Sequence, residues 1–172
     1  MIRHLPKIAL SALILLSLCS IKTSAAPETP LASIRYRLAM PRPVSHLFEV
    51  SIEVELAEGA TTEHLDFQMP KWSPGRYAVF DFAKNVQEVQ AASGICPQGA
   101  LCKMSPLSVT RVDNQTWRVQ LTGTRGLTLR YKVFGDDLSG TFSQLDDRHA
   151  NFNGGSIFMY IVDHKPDPVK LN

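Results

Sequence analysis

The sequence lacks a convincing helical period, any run of basic residues, and more than three cysteines. Its apolar run, residues 8–20, spans thirteen positions, fewer than the roughly 20 that a membrane-spanning helix needs. Three catalytic or nucleotide-binding motifs are also absent: H-E-x-x-H, G-x-S-x-G, and a glycine-rich phosphate loop between a strand and a helix. These absences argue against a helical protein, a membrane-spanning protein and the common hydrolase and nucleotide-binding classes.

The amino terminus has the organisation of a secretory signal peptide. A basic start precedes the apolar run, and residues 23–25 provide a small-residue cleavage site. We therefore expect cleavage near Ala25 and an exported protein, periplasmic or secreted. An uncleaved signal anchor is one alternative. Lipidation at Cys19 is another, although Leu18 is too large for a good lipoprotein cleavage site.

Signal cleavage changes the charge of the chain. Without Arg3, Lys7 and Lys22 the 18 basic residues become 15 against 16 acidic ones, so the net charge is near −1 with neutral histidines. That balance gives no reason to expect nucleic acid or an anionic membrane as a partner, and the membrane matters only for export. With 44% hydrophobic residues in 172, the chain has enough apolar material for one domain with a core.

Two cysteines remain in the mature chain, Cys96 and Cys102. They flank a short segment with a proline and a glycine, and in an exported protein such a pair can form a disulfide. A metal half-site is the alternative, but no second cysteine or histidine pair lies nearby. Because the loop is short, the disulfide would remove little entropy from the unfolded chain and would mainly stiffen the loop.

Period-two alternation of apolar and polar residues dominates the mature chain. Residues 48–56 are the clearest case, with five apolar positions alternating with polar ones. Further strand-like stretches cover residues 34–38, 65–69, 85–91, 109–111, 117–121 and 127–133. The pattern predicts an all-β fold, an antiparallel β-sandwich or a strongly curved sheet of about eight or nine short strands.

Two of these predictions concern particular pairs of elements. Residues 117–121 and 127–133 are separated by a short glycine-containing segment, and we expect them to form a hairpin. Residues 157–162, IFMYIV, are apolar at every position. A strand buried on both faces has this composition.

Residues 69–86, MPKWSPGRYAVFDFAKNV, concentrate aromatic side chains around a turn signal. Pro74 followed by Gly75 predicts a type II turn, since proline sets one corner and glycine tolerates the positive φ of the next. Trp72 beside the turn provides a large surface to pin the loop onto the domain. We interpret the stretch as a structural element, with participation in a binding surface as the alternative.

Residues 135–155 contain aspartates, glycines and few apolar positions, which predicts a long ordered loop of the kind that is functional or covers another part of a protein. The spacing of the aspartates fits no EF-hand, so an exposed acidic loop is favoured over a calcium site. His149 is the only histidine in a plausible functional loop, and no histidine and cysteine cluster predicts zinc.

Three stretches together carry a family resemblance: SHLFEVSIEVEL, MPKWSPGRYAVFDFAKNVQEV and YKVFGDDLSGTFSQLDDRHANFNGGSIFMYI. The specific parts are a W-[ST]-P-G-x-Y turn followed by F-A-[KR]-N, and the later N-G-x-S-[IL]-F-M-Y. Over residues 34–169 the chain resembles the amino-terminal domain of the glycyl aminopeptidase family, the M-sixty-one metallopeptidases. Members of that family continue into a thermolysin-like zinc domain with H-E-x-x-H and usually into a PDZ domain.

This resemblance implies a domain order and a partner. We expect a signal peptide at 1–25, a flexible lead-in at 26–33, the family's β domain at 34–169, and in 170–172 the start of a connection towards a catalytic domain. The family's zinc ligands and general base have no positions in this chain to carry over onto. We therefore expect no enzyme activity and no cofactor in this chain alone, with the zinc-bearing catalytic domain of the same or a related polypeptide as its partner.

The resemblance also suggests where such a partner would dock. In related aminopeptidases the β domain packs on the zinc domain and helps to wall off its cleft. The candidates for that edge are Trp72, Arg76, His149, Asn151, Asn153 and Tyr160. The alternative is that the two aromatic residues belong to the core and that the asparagines satisfy loop backbone groups.

Two other functions fit the same sequence. One is a free-standing secreted β-sandwich that binds a protein or a glycan through its aromatic loops. The other is a structural or inhibitory domain that pairs with a full-length paralogue.

Overall fold

The computed structural model of the chain describes residues 30–96 and 103–172. Within these residues it has twelve strands and one turn of α-helix. They are β1 (Leu31–Ala39), β2 (Leu47–Leu56), β3 (His64–Gln68), β4 (Val86–Ser93), β5 (Pro106–Leu107), β6 (Val109–Arg111), β7 (Thr116–Gln120), β8 (Gly126–Phe134), β9 (Gln144–Leu145), β10 (Ala150–Asn151), α1 (Gly154–Ile157), β11 (Tyr160–Ile161) and β12 (Val169–Leu171). The all-β prediction is confirmed. Four of the strands, β5, β9, β10 and β11, have only two residues each, and among these only β11 lies in a stretch that the sequence predicted to be a strand.

The larger sheet has the order β12-β1-β2-β8-β4-β5. Its neighbouring strands are antiparallel except for β1 and β12, which are parallel. β2 lies near the centre and buries every second residue, as its alternation predicts. Its other side chains, from Glu49 to Glu55, lie on the opposite face of the sheet, because successive side chains of a strand point to opposite faces.

The smaller sheet has the order β11-β3-β7-β6. Phe67 of β3 and Trp117 and Val119 of β7 are buried in one apolar core together with Ile52 and Val54 of β2. The inner faces of the two sheets thus share a core in the manner of a β-sandwich. Burial of these side chains stabilises the fold, at roughly 25 cal/mol for each Å² of apolar surface removed from water.

The predicted hairpin between residues 117–121 and 127–133 is wrong. β7 pairs with β3 and β6 in the smaller sheet, whereas β8 pairs with β2 and β4 in the larger one. The five residues between them carry the chain from one sheet to the other. Alternation of apolar and polar residues identifies the buried face of each strand, and the apolar faces of β7 and β8 do point into the core. The alternation does not identify which strand is the hydrogen-bonded neighbour.

The interpretation of residues 157–162 as one buried strand is also wrong. Ile157 ends α1, and only Tyr160 and Ile161 form a strand, paired with β3. The buried members are Ile157, Met159 and Ile161, while Phe158 and Tyr160 are half-buried. A short apolar run does not by itself distinguish a strand from a tight helical turn that leads into one.

The long loop of residues 135–155 is ordered by a small pairing of its own. β9 and β10 form a two-stranded sheet, and Asp136 bridges to Gln144 beside it. A turn at Asp146 joins β9 to β10, where the carboxylate accepts the backbone N–H groups of Arg148 and His149 at 2.8 and 2.7 Å.

Three sequence predictions concern the ends of the described ranges. β1 begins at Leu31, inside the expected lead-in, and β12 runs to Leu171, past the expected boundary at residue 169. Cys102 lies outside the described residues, so its pairing with Cys96 stays a prediction. In the part of the chain that is described, no helix has the length and apolar character to cross a membrane.

Candidate interface formed by two loops

The predicted type II turn is present at residues 73–76. The Arg76 N–H donates to the Ser73 carbonyl at 3.3 Å, and Gly75 has a φ of +84°. A second backbone bond, from the Phe80 N–H to the Lys71 carbonyl at 2.8 Å, closes the base of the loop. The loop is therefore ordered by its own backbone rather than by an aromatic anchor.

Residues 69–86 divide into a buried part and an exposed part. Phe82 is fully buried, stacks on Phe80 with ring centroids 5.5 Å apart, and meets Phe142 edge-on at 5.3 Å. By contrast Trp72 is 53% exposed, and Tyr77 and Val79 are more exposed still. Packing on the domain, predicted for the whole stretch, therefore holds for only part of it.

Trp72 is exposed because its neighbour, and not Trp72 itself, faces the domain. Ser73 is only 4% exposed, and its hydroxyl accepts a hydrogen bond from the Asn153 side chain. The sequence predicts Trp72, the largest side chain of the turn, as the anchor. The structure assigns this role to a small hydroxyl.

Asn153 connects this turn to the long loop of residues 135–155, which we call the second loop. Its side-chain N–H group donates to the Ser73 hydroxyl at 2.9 Å and to the Gly140 carbonyl at 3.2 Å. Its side-chain oxygen accepts the Gly155 N–H at 3.0 Å and so caps α1. Its backbone N–H donates to the Ser143 hydroxyl at 3.1 Å. Asn153 satisfies backbone groups of its own loop, as the alternative interpretation expected, and its bond to the Ser73 hydroxyl joins the two loops.

The second loop also exposes large apolar side chains. Leu138 is mostly exposed, and Phe152 is partly exposed while its ring meets Phe48 edge-on at 6.0 Å. Neither residue was predicted from the sequence as part of a site. Leu138 had a detectable signal, since it is a large aliphatic residue between Asp137 and Ser139 in an otherwise polar segment.

We call the five exposed apolar side chains on these linked segments the two-loop surface: Trp72, Tyr77, Val79, Leu138 and Phe152. Polar candidates lie on the same segments. Arg76 is exposed on the turn, and the Asn151 side chain makes a 3.5 Å bond to the Ser139 carbonyl. The His149 ring is exposed, with its Nδ1 3.4 Å from Asp146. The two backbone N–H bonds to Asp146 lower the pKa of that carboxyl.

Tyr160 belongs to a different feature. Its hydroxyl donates to the Gln68 side chain, and the Lys165 ammonium lies 4.3 Å from its ring centroid. The ring lines an apolar groove of about 280 Å³ beside β12, together with Tyr36, Phe158 and Leu171. Tyr160 is thus neither a core residue nor part of the two-loop surface.

Across residues 30–96 and 103–172, no three side chains of the His, Cys, Asp and Glu types are grouped as metal ligands would be. The chemistry available on these two segments is that of association: apolar area, hydrogen-bond donors and the exposed guanidinium groups of Arg76 and Arg148. An interface is built from such groups, with aromatic residues at its centre and polar residues at its rim.

A comparison with curated proteins found no match. Among solved structures, the chain is similar to an aminopeptidase N family protein from Idiomarina loihiensis, with a TM-score of 0.67 and 26% sequence identity. The similarity covers 80% of this chain and 21% of that chain. The sequence also matches the family described as Peptidase M61 N-terminal domain over residues 35–172. This chain therefore belongs to the family of Peptidase M61 N-terminal domains.

Proposed function

We propose that this chain is the non-catalytic amino-terminal β domain of an exported, glycyl-aminopeptidase-like zinc metallopeptidase. In this role the domain packs on a catalytic domain through the two-loop surface and helps to shape the substrate cleft. The zinc ligands and the general base belong to that catalytic domain. This chain contributes binding surface, not reacting groups.

The observation that carries the proposal is the exposure of large apolar side chains on ordered loops. Trp72 and Tyr77 are the residue types most enriched at the energetic centres of protein interfaces. Large exposed apolar patches mark interaction sites, and five exposed apolar side chains lie on these two linked segments. The similarity to an aminopeptidase N family protein, of which this chain covers only 21%, supports a larger polypeptide as the context.

The order of the loops supports the same role. Asn153 and the Pro74-Gly75 turn fix both loops before any partner binds. Binding by a preorganised surface avoids the entropy cost of ordering loops, which otherwise subtracts from the affinity.

The polar residues provide the proposed contribution to the cleft. Arg76 has five N–H donors in a fixed fork and is exposed beside Trp72. Asn151 and His149 lie on the other loop. Placed at the rim of an interface, these side chains would supply fixed polar contacts where a cleft opens between two domains.

The first experiment is to sequence the genomic DNA beyond codon 172. A continuation that encodes H-E-x-x-H, in frame or after a frameshift, supports the proposal and supplies the catalytic domain for binding measurements. A stop codon followed by unrelated sequence would contradict the proposal that this chain is a domain of an aminopeptidase. The free-standing binding module would then be the leading function. Export is tested separately by the mass of the purified protein, which should correspond to a chain beginning at Ala26.

The second experiment tests the surface itself. The catalytic domain encoded downstream should bind this chain, and a Trp72→Ala, Tyr77→Ala double variant should lose most of that binding. The matched control is Arg125→Ala. It truncates a long exposed side chain at the Leu56 end of β2, whereas the second loop lies at the Leu47 end. Equal binding by the double variant and the control would place the contact elsewhere.

A further inference from the structure

The outer face of the larger sheet contains a cavity of about 300 Å³ with charged walls. Residues of β1, β2, β4 and β8 line it together with Cys96. Its charged side chains lie on the face turned away from the core, while Val50 and Tyr131 of the lining are buried. The proposed docking function does not use this cavity. The cavity lies on the strands of the larger sheet and not on the two loops.

One row of side chains crosses the cavity at right angles to the strands. Arg37 of β1 lies opposite Ser51 of β2. Ser51 lies opposite Arg130 of β8, and Arg130 lies opposite Gln90 of β4. Partners in antiparallel strands have Cβ atoms about 5 Å apart. Two guanidinium groups therefore flank one small hydroxyl, which leaves open space between them.

Neither arginine forms a salt bridge with a carboxylate of the described residues. Lys132 pairs with Glu88 at 2.6 Å and Arg35 pairs with Glu55 at 3.8 Å. Among the described residues Arg37 and Arg130 have no carboxylate oxygen within 4.0 Å. Glu49 and Glu53, which precede and follow Ser51 by two residues on β2, likewise have no cation within that distance.

A distorted strand forms one wall. Gln87 pairs with Lys132 and Gln90 with Arg130, so Glu88 and Val89 both face Tyr131 in a β-bulge. Glu88 has a φ of 52°, a conformation that costs energy for any residue other than glycine. The bulge directs the Glu88 carboxylate to Lys132, which removes that ammonium from competition with the arginines. Bulges commonly re-aim side chains next to functional sites.

We propose that this cavity binds a small zwitterion, an amino acid or a short peptide with a free amino and a free carboxyl group. The carboxylate lies between Arg37 and Arg130 over the Ser51 hydroxyl. The ammonium is held by Glu49 or Glu53. Three cations and three carboxylates line the cavity, so its net charge is zero. A ligand with one charge of each sign can pair with both kinds of group, while a phosphate would face the carboxylates unpaired.

The test is a titration of the purified full chain followed by amide NMR signals. The probe is L-alanyl-L-alanine, compared at matched ionic strength with its N-acetyl derivative and its carboxyamide. The dipeptide should shift the amide signals of Ser51, Gln90 and Arg130 with a Kd of about 1 mM. Each capped form retains one charge and should bind at least about tenfold more weakly.

Variants test whether the dipeptide binds at the row of side chains that contains Arg37, Ser51 and Arg130. Arg130→Gln should weaken dipeptide binding about tenfold or more, since it removes a charged hydrogen bond. Arg125→Gln removes an exposed arginine outside the row and should leave the affinity unchanged. An unaltered amide spectrum away from the substituted position shows that each variant is folded. Equal binding of the dipeptide and the N-acetyl form, or no shift at the row at concentrations tenfold above the expected Kd, overturns the proposal.

Discussion

The side-chain amide of Asn153 donates a 2.9 Å hydrogen bond to the hydroxyl of Ser73, 80 positions earlier in the sequence. Ser73 is buried in the turn that exposes Trp72, and Asn153 caps the helical turn α1 in the second loop. One short contact thus fixes two segments that are distant in sequence. The relative position of the exposed apolar side chains depends on it.

Replacing Asn153 with alanine should lower the free energy of unfolding by about 2–4 kcal/mol. The substitution removes a helix cap, worth about 1 kcal/mol. It also leaves the buried Ser73 hydroxyl without its donor, which costs about 1–3 kcal/mol. Urea unfolding of the full chain measures the change.

Asn151→Ala is the matched control for that substitution. Asn151 is exposed, and its side chain makes only one long contact, 3.5 Å to the Ser139 carbonyl. Its removal should change stability by less than about 0.5 kcal/mol. If Asn151→Ala destabilised the protein as much as Asn153→Ala, the loops would not be joined by the contact described here.

Gly75→Ala should destabilise the protein by about 1–2 kcal/mol. Gly75 has a φ of +84°, and an L side chain in that left-handed conformation crowds its own backbone. Gly140→Ala is the comparison, because no atom lies within 4 Å of its added Cβ and its φ is not in the left-handed region. Gly140→Ala should therefore be close to neutral in the same unfolding measurement, and equal effects would argue against turn strain.

Phe82→Ala and Tyr77→Ala should have opposite outcomes although the residues are five positions apart. Phe82 is fully buried between Phe80 and Phe142, and its truncation should cost about 3–5 kcal/mol. The Tyr77 ring is fully exposed, so its loss should change stability by no more than about 0.5 kcal/mol. Thermal unfolding of both variants measures the difference. A large loss of stability in Tyr77→Ala would contradict the role of Tyr77 as interface surface.

The sequence predicted the strands well because their burial repeats with a short period. In β2 every apolar residue of the alternating set is buried. The type II turn was equally predictable, since Pro74 and Gly75 restrict the backbone locally. Strand pairing was not predictable in the same way. One of the two partners of β7 is β3, where Arg118 and Asp66 form a bidentate pair at 2.8 and 2.7 Å, and no pattern within β7 identifies that distant residue.

The candidate interface was only partly predictable, for a physical reason. The sequence does not show whether an apolar side chain is buried in its own domain or exposed. Trp72 and Phe82 are both large aromatic residues, and their positions in the sequence do not distinguish them. The difference arises from which neighbour turns inward, here Ser73. The role of Asn153 was proposed from the sequence, but its partner Ser73 was not, because a contact across 80 positions leaves no local signal.

Replacing either of two buried tyrosines, Tyr131 or Tyr36, with phenylalanine should lower the free energy of unfolding by different amounts. The Tyr131 hydroxyl donates to the Ile157 carbonyl and accepts the Met159 N–H, both at 2.9 Å. Tyr131→Phe leaves a buried donor unpaired and should cost about 1–3 kcal/mol. Tyr36 makes one such bond, to the Met159 carbonyl at 2.9 Å, and Tyr36→Phe should cost about 0.5–1.5 kcal/mol. Equal losses in urea unfolding would contradict the two-sided role of the Tyr131 hydroxyl.

The same tyrosines should make the protein sensitive to alkali. Burial raises the pKa of Tyr36 from 10.0 to about 12, and burial also raises the pKa of Tyr131. Above pH 10 the unfolded chain releases these protons while the folded protein retains them. The stability is therefore fully present below pH 10 and falls as the pH rises towards 12. In this window Tyr36→Phe should show a shallower fall in the free energy of unfolding than the unmodified chain, because one of the retained protons is gone. An unchanged slope would mean that the Tyr36 hydroxyl titrates alike in the folded and unfolded states.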